Sequence, residues 1–428
     1  MNGILFLIVM IALLLAGVPV AFGLGISALL LMLLKSGSIH FNTVAQMSVA
    51  GINSFTMLCV PLFLLAGKLM NTGGITKRLF DFAKTVVGFL PGGLGHVNIV
   101  SSVIFAGMSG TAVADAGGLG AIEIQAMKDA GFDSEFSCAV TCASSTIGPI
   151  IPPSLPLVVY GTMAACSVGA LFIAGILPGI LMALAMMLVV TLYAVKKNYP
   201  REAVPTWKSL FLSVKEGFLP LMTPIIIIGG IYSGFFTATE AAVIAVVYSF
   251  ILSFFVYKEM TWPMLVNVLR ETAKDSATIG IILATSSLYG NALIRAQIPQ
   301  QLLKLLTSSI SSPSVMFLVL NLFLLIVGCF METTSAITIL MPLLNPIIAA
   351  MGIDPVHFGI VMVFNLMIGV LTPPFGMCLF VTSRVGGVSV VDLSKALVPW
   401  IAALLVTLLL ITYFPQIALF LPRMTGLI

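Results

Sequence analysis

The sequence predicts an all-α, polytopic membrane protein made of two inverted repeats, and three observations carry that prediction. Charged residues are scarce, 19 Lys+Arg and 15 Asp+Glu in 428 residues, or 8%, against roughly 25% in soluble domains. Hydrophobic residues reach 60% and the mean hydropathy is +1.18, so lipid is the solvent that suits most of the chain. The third observation is self-similarity. Ala130-Gly131-Phe132-Asp133 matches Met351-Gly352-Ile353-Asp354, and Ile147-Gly148-Pro149-Ile150-Ile151-Pro152-Pro153 matches Ile368-Gly369-Val370-Leu371-Thr372-Pro373-Pro374, both at an offset of 221. Gly67 and Ile75 pair with Gly290 and Ile298 at 223, so a two-residue length difference extends the repeat upstream.

Long apolar runs without two-residue alternation cannot be barrel strands, and in lipid the backbone must satisfy itself, which leaves helices. At about 20 apolar residues per crossing the length allows on the order of ten to twelve spans. The first, 3–34, has no positive charge before Lys35 and reads as a retained segment rather than a cleaved signal. Runs at 50–70 and 94–108 lead to a small-residue motif, Gly107-Met108-Ser109-Gly110-Thr111-Ala112-Val113-Ala114-Asp115. The next run, 134–165, is interrupted by Pro152-Pro153, and 168–195 follows it. A polar connection over 196–217 carries Lys196, Lys197, Arg201, Lys208 and Lys215 against Glu202 and Glu216, which the positive-inside rule places in the cytoplasm. The stretch 218–257 is long enough for two spans, and 273–294, 314–330, 356–383 (interrupted at Pro373-Pro374) and 394–421 complete the set. Lys77 and Arg78 align with Gln300 and Gln301, as expected if corresponding loops face opposite sides. Internal duplication of this kind marks secondary transporters, whose inverted halves expose a central site alternately.

The two Pro-Pro breaks cannot be continuous helix, because proline removes a donor and forces its predecessor out of the helical region. Carbonyls near Thr146, Gly148, Leu371 and Thr372 are thereby freed at membrane depth, and Ser144, Ser145, Thr146, Asn365 and Thr372 add side-chain oxygens. Such an oxygen-only set suits sodium, as in the discontinuous helices of transporters. Ahead of each break the first small-residue motif and Met331-Glu332-Thr333-Thr334-Ser335 look like tips of re-entrant hairpins. Helices beginning at Thr111 and Thr333 would offer free N–H groups and a positive dipole end to an anion, which favours an organic acid. Alternatively the small residues only permit close helix packing, as at Gly175 with Gly179 and Gly230 with Gly234. Ionisable residues within apolar stretches are functional candidates: Lys68, Asp115, Glu123, Glu240, Arg295, Glu332 and Arg384. Glu332 could orient a sodium site and Asp115 could cap or pair. Arg384 could clamp a carboxylate or snorkel to the interface.

Other classes find little support. The net charge of +4 leaves no nucleic-acid footprint. The six cysteines lie singly in apolar runs, and Cys138 with Cys142 has no flanking histidines for zinc. The segment Gly107-Met108-Ser109-Gly110 is not the GxSxG elbow, none of the three histidines has a triad context, and there is no GxxxxGK[ST]. A channel is the competing reading from another class.

Taken together, GMSGTAVADAGGLGAIEIQAMKDAGF, ASSTIGPIIPPSLPLVVYG, GCFMETTSAITILMPLLNPI and IGVLTPPFGMCLF closely resemble the large membrane subunit of tripartite ATP-independent periplasmic (TRAP) transporters, over nearly the whole chain from GVPVAFGLG at Gly17. The resemblance implies sodium-driven uptake of a carboxylate-bearing solute across the bacterial inner membrane, and an elevator-type fold similar to divalent anion/sodium symporters. It implies scaffold parts at 1–90 and 218–311, transport-domain halves at 91–195 and 312–428, and a connecting loop at 196–217. It also implies two partners, a small membrane subunit of about four helices and a periplasmic substrate-binding protein. Carried over residue by residue, one sodium site falls among Ser109, Gly110, Ser144, Ser145, Thr146 and Gly148, and another among Glu332, Thr333, Asn365, Gly369 and Thr372. Substrate is expected at Ser109, Thr111, Ser154, Thr334, Ser335 and Arg384. Sialic acid and C4-dicarboxylates both fit these groups. An anion channel, or a symporter needing no binding protein, stays open as an alternative.

Overall fold

The computed structural model describes residues 10, 12–13, 16–36, 41–310, 312–373 and 376–428, with the side chains of 35–36, 107–109 and 305–309 outside the description. Every regular element among them is helical. The first half holds α1 (Val20–Ser36), α2 (Phe41–Ile52), α3 (Cys59–Thr72), α4 (Ile75–Val87), α5 (Gly93–Ser109), α6 (Ala112–Gly117), α7 (Leu119–Asp129), α8 (Ser134–Ser144), α9 (Leu155–Ala164) and α10 (Val168–Lys197). The second holds α11 (Trp207–Tyr232), α12 (Ala238–Ile251), α13 (Trp262–Arg295), α14 (Ile298–Ser309), α15 (Pro313–Phe330), α16 (Thr333–Ala350), α17 (Pro355–Gly369), α18 (Met377–Gly386), α19 (Val390–Tyr413) and α20 (Gln416–Met424). Among the described residues, eight helices are long and apolar enough to cross a membrane, and the chain is a multi-pass membrane protein.

The start and stop signals of the helices are duplicated along with the motifs. Asp133 and Asp354 stand at the N-caps of α8 and α17. Ser167 and Ser389 cap α10 and α19, accepting the N–H of Ala170 and Asp392. The left-handed turns before α8 and α17 both use glycine, Gly131 at φ 88° and Gly352 at φ 65°. Both broken stretches are interrupted as expected: α8 passes into a short 3₁₀ turn (Ser145–Ile147) before α9, and α17 ends before α18 begins.

Three boundaries differ from the sequence reading. The connection expected over 196–217 is shorter, because α10 closes on Asn198 in the left-handed region and Thr206 caps α11, whose first turns include Lys208 and Lys215. The span expected at 273–294 belongs to a 34-residue helix, α13, which starts at Trp262 and runs through the charged stretch Arg270 to Asp275 into the apolar run. The helix α16 was absent from the expected spans because Pro342, Asn345 and Pro346 interrupt its apolar pattern. Those three residues are half-buried and line a cavity, while the rest of the helix is mostly buried among its neighbours, the setting in which proline is tolerated in membrane helices. Most of the opening stretch of 3–34 before Val20 lies outside the described residues.

The helices sort into two packed groups. In one, α3 packs on α12, α13 on α1, α2 and α3, and α4 on α11. In the other, α8 and α17 form the centre, flanked by α19 and α15 respectively. Phe136–Ser144 and Val356–Gly369 are buried on every side, as an all-round apolar helix must be. Two of the contacts between the halves are related to each other by the repeat: α9 lies on α16, and α18 lies on α6. Each helix that follows a break therefore packs on the return arm of the other half's hairpin. That reciprocity is what two inverted repeats joined about a two-fold axis produce.

Candidate functional site

The first hairpin turns at Gly110, whose φ of 61° lies in the region glycine adopts at no steric cost. A Cβ there would also stand 2.7 Å from the carbonyl oxygen of Pro153, so the tip is seated directly on the first break. Thr111 then opens the short helix α6 in extended conformation, with no side-chain capping bond. The second hairpin turns through Met331 into Glu332, whose Oε2 accepts from the Ser335 N–H at 2.9 Å and hydroxyl at 3.3 Å. The second tip thus carries a capped helix of full length, whereas the first carries only six residues before Gly118 breaks it.

These tips meet. A small cavity of about 40 Å³ is lined by Thr111 and Thr334, by Pro149 and Val370, and by Pro156 and Met377. Each pair is related by the repeat offset, 223 for the threonines and 221 for the others, so this cavity marks the two-fold centre. Next to it opens a larger cavity of about 590 Å³, which shares Thr111, Glu332 and Thr334 with it and adds Lys68 and Asn71 from α3, Asp275 and Thr278 from α13, and Ser335 from the second tip. Its volume falls within the usual range for small-molecule pockets.

The oxygens around the breaks are arranged in the same sense in both halves. Ser144 donates to Asn98 Oδ1 at 2.6 Å, and Asn98 Nδ2 reaches Thr141 at 2.7 Å. In the second half Asn365 Nδ2 donates to Asn321 Oδ1 at 2.8 Å and to its carbonyl at 3.0 Å. Asn98 and Asn321 are themselves 223 apart. Sequence reasoning missed both, although the offset that linked Gly67 to Gly290 would have paired them. Ser145 and Thr146 donate back to the carbonyls of Cys142 and Ala143 at 2.8 and 2.5 Å, and Thr372 to that of Ile368 at 2.9 Å. A hydroxyl that donates keeps its lone pairs for a cation.

Several buried oxygens have no hydrogen-bond partner: Thr333 Oγ1 and Asn365 Oδ1 in the second half, Asp115 Oδ1 and Oδ2 and Glu123 Oε1 in the first. Buried polar atoms are almost always paired, so these positions fit a cation. Asp115 and Glu123 are 2% and 1% exposed. Two carboxylates buried together need a counter-cation or a proton. Among the described residues no three His, Cys, Asp or Glu side chains are grouped to hold a metal ion, and the five unpartnered atoms named above are oxygens, the donor type a hard cation takes.

The expected substrate residues divide. Thr111, Thr334 and Ser335 line the larger cavity. The Ser154 hydroxyl does not: it is fully buried, donates to the Pro149 carbonyl at 2.5 Å and caps α9. Arg384 is exposed in the last turn of α18, whose first residue, Met377, is the one that reaches the cavity. At 1.5 Å per residue that separates Arg384 from Met377 by about 10 Å along the helix. The helix dipole and solvent suffice to explain a basic residue there. The Ser109 side chain lies outside the described residues. Gly110 sits at the first tip, and Gly148 follows the 3₁₀ turn, its N–H bonded to Ser145 O at 3.3 Å. The carbonyl of Gly369 accepts the Thr372 N–H at 2.9 Å. Glu240, a candidate by its place in an apolar stretch, forms a capping box with Thr237 at the start of α12.

Fold and site together define a polytopic helical transporter whose repeats bring two hairpin tips and two broken helices to one centre. The chain belongs to the family described as tripartite ATP-independent periplasmic transporter, DctM component, which it matches over residues 7–417. It is 44% identical over 414 residues to the sialic acid TRAP transporter large permease protein SiaM of Vibrio cholerae, covering 97% of each chain. It is 36% identical to the C4-dicarboxylate TRAP transporter large permease protein DctM of the same organism, covering 98% of this chain and 97% of that one. Among solved structures the fold resembles the Alcanivorax borkumensis YdaH transporter, with a TM-score of 0.65 at 14% identity over 88% of each chain.

Proposed function

We propose that this chain is the translocating subunit of a sodium-driven importer of an organic acid anion in the bacterial inner membrane. The observation that carries the reading is the pairing of repeat-related threonines, Thr111 and Thr334, at one cavity beside buried, unpartnered oxygens at Thr333 and Asn365. Hydroxyls and helix-start N–H groups there hold a carboxylate, and the oxygen sets beside the breaks hold the co-transported sodium ions, two or more. The names of the relatives, sialic acid and C4-dicarboxylate permeases, support the anion class, and the greater identity to the sialic acid permease favours that substrate.

The group of α1–α4 with α11–α14 is the scaffold, and the group centred on α8 and α17 is the part that moves, elevator-fashion, carrying the tips past it. A small membrane subunit and a periplasmic binding protein complete the transporter, in keeping with the tripartite family. Uptake of labelled sialic acid and succinate is measured in proteoliposomes holding this chain with its small partner, with and without a sodium gradient and the binding protein. Sialic acid uptake that needs both supports the reading. Downhill flux indifferent to sodium would make the chain a channel, and uptake without the binding protein a stand-alone symporter.

A further inference from the structure

The larger cavity has an electrostatic feature that the repeat does not duplicate. Its charged lining among the described residues is Lys68, Asp275 and Glu332. Glu332 is occupied in capping α16. An anion in this cavity therefore faces two carboxylates and a single ammonium group. That ammonium is already held: Lys68 Nζ lies 2.7 Å from Asp275 Oδ2 and 3.3 Å from Glu271 Oε2, across the contact between α3 and α13. Lys68 shares a face of α3 with Leu64 and Asn71, and Asp275 shares a face of α13 with Thr278, Ile279 and Ile282, all of them lining the same cavity.

The repeat partner of Lys68, at the offset of 223, is Asn291. Asn291 and its neighbour Gly290 line a second cavity of about 650 Å³, alongside Ser286, Ser287, Asn345 and Thr162. The duplicated fold thus makes two cavities of similar size at related positions, and among the described residues only one of them has a cation on its wall. A structural strut between α3 and α13 would be served by a pair facing away from the cavity. This pair faces into it, and the Lys68 side chain is 25% exposed.

We propose that Lys68 is the cationic contact for the substrate's carboxylate in this cavity, and that Asp275 is a built-in competitor which holds the ammonium when substrate is absent. Lys68 is then a specificity-determining residue for anions, and the affinity reflects the exchange of one carboxylate partner for another. The proposal rests on the organic-anion reading above.

The test is the kinetics of sialic acid and succinate uptake by the reconstituted transporter for the wild type, Lys68→Gln, Lys68→Arg and Asp275→Asn. Lys68→Gln raises KM by about tenfold, as loss of a charge-assisted contact does. Lys68→Arg stays near the wild type, and Asp275→Asn lowers KM several-fold because the ammonium loses its nearer carboxylate and keeps only the more distant, exposed Glu271. A lowered KM cannot come from misfolding, so this variant keeps the test decisive. If Asp275→Asn raises KM as Lys68→Gln does, or if all three variants change only the amount of active protein, the pair is a strut and the proposal is wrong. Wild-type protein that transports neither anion overturns the functional reading itself, and the proposal falls with it.

Discussion

The crossing of α15 and α17 allows a quantitative prediction that ties packing to function. Gly328 and Gly369 meet there backbone to backbone, the close approach that small residues permit between membrane helices. A Cβ built on Gly369 would stand 2.4 Å from the Cα and carbonyl carbon of Gly328. Ordinary carbon contacts are about 3.5 to 4.0 Å. In Gly369→Ala the helices must therefore part by about 1 Å, or the chain must distort locally, at a cost of about 2 to 3 kcal/mol. A Cβ on Gly328 meets its nearest neighbours at 3.1 to 3.3 Å, a shortfall of a few tenths of an ångström. Alanine's better helix propensity, about 1 kcal/mol, offsets most of that. Gly369→Ala should therefore unfold several degrees below the wild type and Gly328→Ala close to it, measured by thermal unfolding of the purified protein in detergent. Asn365 lies one turn before Gly369 on the same helix, so Gly369→Ala should also raise the sodium concentration for half-maximal uptake. A Gly369→Ala protein as stable as the wild type, or a Gly328→Ala protein less stable than it, would refute the reasoning.

Asn321→Ala removes the Oδ1 that fixes Asn365 and leaves only the carbonyl at that position, so a sodium titration of uptake should show weaker sodium activation, with the maximal rate less affected than the half-saturation point. Arg384→Gln should leave KM for the anion within about twofold, because an exposed charge away from the cavity contributes little; a large rise in KM would restore Arg384 to the site. The Asp133 carboxyl is held below the usual carboxylate range by hydrogen bonds from Lys197 and Tyr199. A depressed carboxylate stabilises the fold above its unfolded pKa of about 3.9 and loses that contribution as the pH falls through its folded value. The melting midpoint of the wild type should exceed that of Asp133→Asn at neutral pH, and the gap should close as the pH falls below about 4. A gap that widened in acid would contradict the assignment.

The class of this protein was legible in its composition, since a chain with 8% charged residues cannot build a water-facing surface. The duplication was legible as well, because glycines in left-handed turns and prolines at breaks are read by the local backbone wherever they stand, and the repeat kept both. For the same reason the tips and breaks lay where the motifs put them. Residues whose meaning depends on what faces them were not legible. Ser154 and Arg384 look like binding residues by type, yet one hydroxyl is spent on a helix cap and the other side chain lies along the helix from the cavity. Asn98 and Asn321 look like ordinary polar residues in apolar runs until each is found against the break of its own half. Lys68 and Asp275 are 207 residues apart, and only the packing of α3 on α13 makes them neighbours at the cavity wall. Local backbone chemistry is written in short stretches of sequence. Which side chains share a cavity is decided by long-range packing, where burial and partnership assign each polar group its use.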